Sequence, residues 1–209
     1  MFAVATDDTG YELTHPGSHG LPDDLSRGEA RAAFRRVMET KESRIAELRR
    51  LLSNFDVSLA SDDASIQALN DWFVANIKAD PKRPGFLRPE WSSIAYDVGL
   101  FLGEVIIARH PNLHWELFTW GKTDVAFHRA VIMGMSTEDV KLRTYIDILD
   151  MTEGYAHFIV EAHGSVPKYG VVEVRGAKID VDVSAERARA SGVDRRRFVS
   201  WLERAAERA

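Results

Sequence analysis

Residues 89–109 read PEWSSIAYDVGLFLGEVIIAR, and this stretch decides the fold. Apolar side chains occur on every side of the helix that it predicts, which is typical of a helix at the centre of a core. Pro89 is well placed as the first helical residue, because the N–H that proline lacks has no partner at that position of a helix. Gly99 and Gly103 lie four residues apart, so they share a face and form a small patch that another backbone can approach closely.

Outward from this helix, the sequence predicts two β-hairpins. Residues 113–133 alternate between apolar and polar side chains on both sides of a turn near Gly121, and residues 168–184 repeat this pattern. Segments of helical periodicity lie before, between and after the two hairpins. We therefore expect an α+β fold, in which the two hairpins form an antiparallel sheet packed against the central apolar helix, at about 90–109, with flanking helices.

The length of 209 residues corresponds to about 1.4 typical domains. Residues 1–26 contain several Gly, Pro and Asp and few apolar residues, so we expect a flexible N-terminal arm there. Residues 27–209 are expected to form a single α+β domain, with the hairpin and helix of residues 168–209 as a candidate appendage.

The composition narrows the classes of function. Hydrophobic residues make up 45% and charged residues 28% of the chain, as in ordinary globular proteins, and the net charge of −5 disfavours nucleic-acid binding. The chain has no cysteine, which excludes disulfides, thiolate metal sites and a thiol nucleophile.

The first residues lack the pattern of a secretory signal, so we expect a cytoplasmic protein without a membrane segment. Phosphate-loop, dinucleotide-binding, serine-hydrolase and zincin motifs do not occur, and we expect no cofactor.

Two carboxylates in the central helix are the candidate catalytic residues. Asp97 and Glu104 are seven residues apart, about two helical turns, so they share a face. Such a pair could act as general acid and base, or hold a divalent cation. The structural alternative, which we favour, is that each carboxylate is paired and fixes helix packing. It predicts that Glu104 is mostly buried beside a basic group or a backbone N–H.

Histidine spacing does not favour a metal site. His110 and His114 are four residues apart, but Pro111 between them breaks any helix. His15 and His19 lie in the predicted arm. A zinc site needs three or four convergent ligands, so we expect no metal.

The first hairpin offers a candidate binding surface. Trp115 shares one face with the uncharged Leu113, Leu117 and Ile132, so we expect the central helix to cover that face. The opposite face would then expose aromatic groups beside an ion pair, which suits a partner or dimer interface. Its residues are Glu116, Phe118, Trp120, Phe127 and Arg129. A symmetric turn would place Phe118 opposite Phe127 and Glu116 opposite Arg129.

The C-terminal segment is rich in arginine. Residues 186–209 contain seven arginines, at positions 187, 189, 195, 196, 197, 204 and 208. A basic helix can contact nucleic acid, but Glu203 and Glu207 alternate with these arginines. We therefore favour a solvated helix face and keep nucleic-acid contact as a weaker alternative.

The run Gly99–Glu104, followed by Arg109 and Trp115, carries a resemblance. It resembles a loose group of small uncharacterised bacterial domains that share a G-x-x-[LF]-G-E helix, then a basic residue and a Trp-containing strand. Some members are thought to be toxin-immunity proteins. The resemblance covers roughly residues 90–135 and supplies no catalytic residue.

The sequence thus favours a non-enzymatic, protein-binding domain of the bacterial cytoplasm. The resemblance implies that this domain neutralises a toxin. We expect a protein partner or self-association. The first alternative is a small hydrolase or metal-dependent enzyme that uses Asp97 and Glu104.

Overall fold

The computed structural model describes residues 10–13, 24–83, 85–136, 144–164, 169–174, 177–182 and 192–209. The fold is α+β, as the sequence predicts. The elements in chain order are α1 (Arg27–Ser53), α2 (Asp63–Asn76), α3 (Pro89–Arg109), β1 (His114–Leu117), β2 (Ala130–Met133), α4 (Ile148–Gly164), β3 (Tyr169–Val174), β4 (Ala177–Asp182) and α5 (Arg197–Ala206).

Side chains that satisfy free backbone N–H groups begin the first two helices. Ser26 and Glu29 form a reciprocal capping box at the start of α1, in which each side chain accepts a hydrogen bond from the other's backbone N–H. The Asp62 carboxylate accepts from the backbone N–H of Ser65 at the start of α2. The sequence therefore sets both helix starts locally, and the directions of α1 and α2 follow from their buried faces.

The central helix α3 is buried along most of its length and contacts α1, α4 and α5. By length and composition it could cross a membrane, and 72% of its apolar window is buried inside the protein. At Gly99 an added Cβ would lie 2.7 Å from the Thr152 Oγ1 of α4, and at Gly103 it would overlap the ring of Trp115. These two glycines therefore allow the close approach of α4 on one turn and of β1 on the next.

The described strands pair antiparallel in two separate two-stranded sheets, β1 with β2 and β3 with β4, so the prediction that the two hairpins form one sheet is wrong for these strands. His114 lies opposite Met133 and Glu116 lies opposite Val131, which shifts the first hairpin by two residues from the expected register. The shift arises because residues 118–129 form a looped connection with successive turns, in which His128 takes a positive φ of 64°. The expected cross-strand pairs, Phe118 with Phe127 and Glu116 with Arg129, do not occur in the ladder.

The helix α5 closes one side of the core against α2 and α3. Phe198 and Trp201 from α5 pack in an aromatic group with Phe73 and Tyr155. The side chain of Asn70 in α2 spans the junction, because its Nδ2 donates to Arg195 O at 2.7 Å and its Oδ1 accepts from Phe198 N at 3.2 Å. A buried amide with partners on both sides fixes where α5 begins.

The segment of residues 10–13 differs from the flexible arm that the sequence predicts for residues 1–26. Tyr11 is fully buried in the main core and Leu13 packs against it. Residues 1–9 and 14–23 lie outside the described part of the chain, so the remainder of the predicted arm stays a prediction. Residues 175–176, within the second predicted hairpin, also lie outside it.

Candidate functional site

The first candidate catalytic residue, Asp97, is fully buried in α3. Arg44 of α1 holds its carboxylate at two points: Nε donates to Oδ1 at 3.1 Å, and Nη2 donates to Oδ2 at 2.6 Å. The hydroxyl of Tyr11 donates to the same Oδ2. Both carboxylate oxygens thus have donors from elsewhere in the chain, as a buried charge requires.

The charges around Asp97 stabilise one protonation state. Burial lowers the pKa of Arg44, but the hydrogen bond and negative charge of Asp97 outweigh it and raise that pKa. Burial, together with the nearby Asp97 charge, raises the pKa of the Tyr11 hydroxyl far above its usual value. The arrangement therefore favours a charged Asp97–Arg44 pair beside a neutral phenol. The Asp97 carboxylate is fully buried, so it does not face solvent in this structure.

The second candidate, Glu104, lies nearer the surface than the sequence predicts, with 35% of its side chain exposed. Its Oε1 accepts from Lys41 Nζ at 2.6 Å and from Trp115 Nε1 at 2.8 Å. The expected basic partner is therefore present, and the side chain is partly buried, with about a third of it open to solvent. Asp97 and Glu104 bind different partners, and these contacts bring no third carboxylate or histidine between them.

The predicted aromatic surface is divided by the looped connection. Phe118 is 4% exposed and belongs to a small second core with Ala126, Val131 and Met133. The Tyr145 ring covers Phe118, with 4.6 Å between ring centroids. Phe127 is also buried, so neither phenylalanine contributes an exposed face. The prediction that these two residues are surface-exposed is corrected, because the positive φ at His128 turns the chain before β2.

The charged members of that predicted surface also have other partners. Glu116 lies beside His114, 3.3 Å from its Nε2. Arg129 binds two carboxylates at the start of α4: Nη1 donates to Asp150 and lies 3.5 Å from Asp147 Oδ2. Arg129 is thus a tether between the loop and α4, and it does not pair with Glu116.

Trp120 is the member of the predicted surface that stays exposed, with 49% of its area open to solvent. It lines an open pocket of about 790 Å³ between residues 119–128 and the start of α1. The other lining residues are Leu25, Arg27, Thr119, Lys122, Phe127 and His128. Arg27 and Lys122 are exposed cations, and the lining residues that the structure describes include no carboxylate. The pocket therefore combines an aromatic surface with positive charge.

His128 forms a strained wall of this pocket. Its φ of 64° lies in the left-handed region, which is uncommon for residues other than glycine. Its ring stacks on Phe127 with 3.8 Å between ring centroids, and its buried Nδ1 has no hydrogen-bond partner within the described ranges. A strained residue persists only where the surrounding structure holds it in place. Such residues are often found at binding sites.

A second polar network fixes the same loop from the other side. Tyr145 donates from its hydroxyl to Asp124 Oδ1 at 2.6 Å, and Asp124 Oδ1 also accepts from the backbone N–H of Ala126. Burial raises the pKa of Asp147 to about 6, although its hydrogen bonds and Arg129 oppose that shift. Arg129, Asp147 and Asp150 thus join the end of the loop to α4.

The histidine pairs do not assemble a metal centre in the described part of the chain, where no three His, Cys, Asp or Glu side chains converge. His110 caps the C-terminal end of α3, and His15 and His19 lie outside that part.

Among the C-terminal arginines, Arg196 pairs with Glu203 at 3.1 Å. Arg197 lies 3.5 Å from Asp194 and over the Tyr155 ring. Arg187 and Arg189 are outside the described ranges.

Sequence reasoning missed Tyr11, Arg44 and the cationic wall of the pocket. The sequence does contain a signal for Arg44. It lies at helical spacing from Leu48 and next to Ile45, so it falls on the apolar face of α1. Tyr11 lies in a segment without periodicity, and Arg27 contacts the pocket only through the tertiary fold.

Comparison with known proteins gives no relative for this arrangement: no protein-family model, curated protein or solved structure matches the chain.

Proposed function

We propose that the chain is a non-enzymatic binding protein whose Trp120 pocket receives an acidic segment of a protein partner. The observation that supports this most strongly is the pocket lining: Trp120 is about half exposed beside the cations Arg27 and Lys122. Trp and Arg are the side chains most enriched among residues that dominate binding energy at interfaces. The partner segment would place an aromatic side chain on Trp120 and a carboxylate near Arg27 and Lys122.

Charge complementarity favours an acidic partner. The chain as a whole carries −5, so a local site whose described lining has two cations and no carboxylate differs in sign from the average surface. The wall formed by Phe127 and His128 is packed and anchored through Arg129 to α4, which limits the ordering entropy that a partner must overcome.

The enzyme alternative receives less support. Asp97 is sealed, and Glu104 is engaged by Lys41 and Trp115. The nucleic-acid alternative is weakened by the pairing of Arg196 and Arg197 with acidic residues of the same chain.

In this proposal, α3, β1 and β2 form the scaffold that positions the pocket. The central helix α3 would hold β1 through the contact of Trp115 with Gly103 and Glu104, and β1 and β2 would present residues 118–129 between them. Residues 90–135 resemble a loose group of uncharacterised bacterial domains, some of which are thought to be toxin-immunity proteins, and this favours a toxin as the partner, in the bacterial cytoplasm.

Selection of random displayed peptides on the purified protein tests the pocket. We expect enriched peptides to contain Asp or Glu close to Trp, Tyr or Phe, and their affinity to fall as ionic strength rises. Trp120→Ala should weaken these peptides by roughly 30-fold, in line with about 2 kcal/mol for an interface hot spot. Lys122→Glu should weaken them as well.

Phe86→Ala is the matched control, because Phe86 is a 54% exposed aromatic that does not line the pocket. It should bind the selected peptides as the wild type does. Peptides that bind wild type, Trp120→Ala and Phe86→Ala equally, or a selection that yields no acidic peptide, would overturn the proposal.

A further inference from the structure

The segment Gly10–Leu13 is held against α1 in the way that a bound peptide is held. Arg50 Nη2 donates to Gly10 O at 2.9 Å, Glu12 N donates to Glu47 Oε1 at 2.8 Å, and Arg44 Nη2 donates to Glu12 O at 2.7 Å. Side chains from a single face of α1 therefore form hydrogen bonds with the backbone groups on both sides of Tyr11. These contacts position the segment, and they do not depend on which residue stands at position 11.

The Tyr11 side chain supplies the specific contact. It is fully buried, its hydroxyl donates to Asp97 Oδ2, and the Arg44 guanidinium lies over its ring, 5.4 Å from the ring centroid. A phenylalanine at this position would keep the ring contacts and would leave Asp97 without one donor. The site between α1 and α3 thus has the chemistry to distinguish a phenol from a plain aromatic ring.

The buried charges of this site need an explanation beyond stability. A buried ion pair is often no more stabilising than apolar residues of the same volume, because both charges lose their hydration. Arg44 is the only basic residue among the buried residues that the structure describes, and it binds both Asp97 and the peptide backbone. Recognition of a tyrosyl segment uses each of these groups at once.

We propose that the cleft between α1 and α3 is a binding site for an extended tyrosyl peptide, and that Gly10–Leu13 is its built-in ligand. Arg44, Glu47 and Arg50 bind the peptide backbone, and Asp97 accepts the phenol hydroxyl. The site is separate from the Trp120 pocket and does not depend on the function proposed for it.

Emptying the site in the full-length chain tests this inference. The variant Tyr11→Ala removes the ring that anchors residues 10–13 in the core, so an added peptide can displace their backbone from Arg44, Glu47 and Arg50. The probes are two synthetic peptides, acetyl-Gly-Tyr-Glu-Leu-amide and acetyl-Gly-Phe-Glu-Leu-amide. Calorimetric titration should show that the tyrosyl peptide binds Tyr11→Ala at least about tenfold more tightly than the phenylalanyl peptide, because hydrogen bonds to charged groups discriminate by this much. Neither peptide should bind the wild type, whose site is filled.

Two controls separate recognition from general stabilisation. Asp97→Ala in the Tyr11→Ala background removes both acceptor oxygens and should remove the preference for the tyrosyl peptide. Tyr155→Ala removes another buried tyrosine, whose hydroxyl donates to Asp194 O, and neither peptide should bind it.

If Tyr11→Ala does not fold by itself, the peptides are added during refolding and helix content is followed by circular dichroism. The tyrosyl peptide should then restore the helical signal and the phenylalanyl peptide should restore less. Equal effects of the two peptides, or no effect of either, would overturn the proposal in both experiments.

Discussion

Asp97 illustrates, at the scale of one residue, how a charge is accommodated in an apolar helix. Three donors from Arg44 and Tyr11 meet its carboxylate, so its loss of hydration is largely compensated. The pair of Lys41 and Glu104, on the same two helices, is partly exposed, so solvent screens its attraction. The two ion pairs between α1 and α3 therefore contribute differently to the free energy of unfolding, because one is buried and the other is partly exposed.

We predict that Arg44→Ala destabilises the protein by about 3–5 kcal/mol, because it leaves Asp97 charged, buried and short of donors. Lys41→Ala is the matched control and should cost below about 1 kcal/mol, as expected for a partly exposed pair. Urea denaturation of the two variants measures the difference. Similar midpoints for both would show that Asp97 is hydrated or protonated in Arg44→Ala.

Asp147 predicts a pH dependence with a definite sign. Its pKa is raised from 3.8 to about 6 by burial, so the folded state binds a proton more tightly than the unfolded state. The contribution of Asp147 to the free energy of unfolding is therefore largest at low pH and is lost as the pH rises through about 6. From about pH 4 to about pH 7, the wild type should lose on the order of 2 kcal/mol relative to Asp147→Asn.

Denaturant titrations of wild type and Asp147→Asn at several pH values check this. Using the difference between the two proteins removes the effect of the other carboxylates. Parallel stability curves would mean that Arg129 keeps Asp147 ionised in the folded protein.

At the scale of the element, α3 depends on two glycines for its contacts. We predict that Gly103→Ala costs about 1–3 kcal/mol, because the added Cβ would overlap the Trp115 ring and displace its bond to Glu104. Gly154→Ala in α4 is the control: an added Cβ there meets nothing within 4 Å, so the variant should gain about 0.5–1 kcal/mol from helix propensity.

Thermal unfolding of both glycine variants tests this prediction. A gain in stability for Gly103→Ala comparable with that for Gly154→Ala would show that Trp115 moves without cost and does not lock β1 to α3.

The elements differ in how far the sequence predicts them. The bounds of α3 follow from Pro89 and from an apolar pattern that ends at Arg109, because both signals are local. The predicted register of β1 and β2 is wrong by two residues. The sequence has no simple local signal for the turns within 118–129 or for the strained His128. Asp97 and Glu104 were recognised as candidates, but the donor from Tyr11 comes from 86 residues away and leaves no pattern.

At the scale of the whole molecule, the exposed pocket and the core should respond differently to truncation. We predict that Trp120→Ala changes the unfolding temperature little, because the indole is 49% exposed, whereas it weakens self-association or partner binding. Phe118→Ala should cost about 3 kcal/mol or more, because Phe118 is 4% exposed in the second core.

Calorimetry and sedimentation of the two variants beside the wild type measure both effects. A large loss of stability in Trp120→Ala, together with a strictly monomeric wild type, would assign Trp120 to the core and remove the self-association outcome.

The junction of α2 and α5 has a consequence for how the chain is made. Asn70 and Phe198, in the first turn of α5, are separated by 128 residues, so α2 leaves the ribosome long before its covering helix exists. At about 5–20 residues per second, that interval is roughly 6–25 s. During it, the face that carries Phe73 has no α5 to pack against. Newly made chains should therefore be exposed to aggregation and to chaperone capture until α5 emerges, and a faster-translated message should shorten that period.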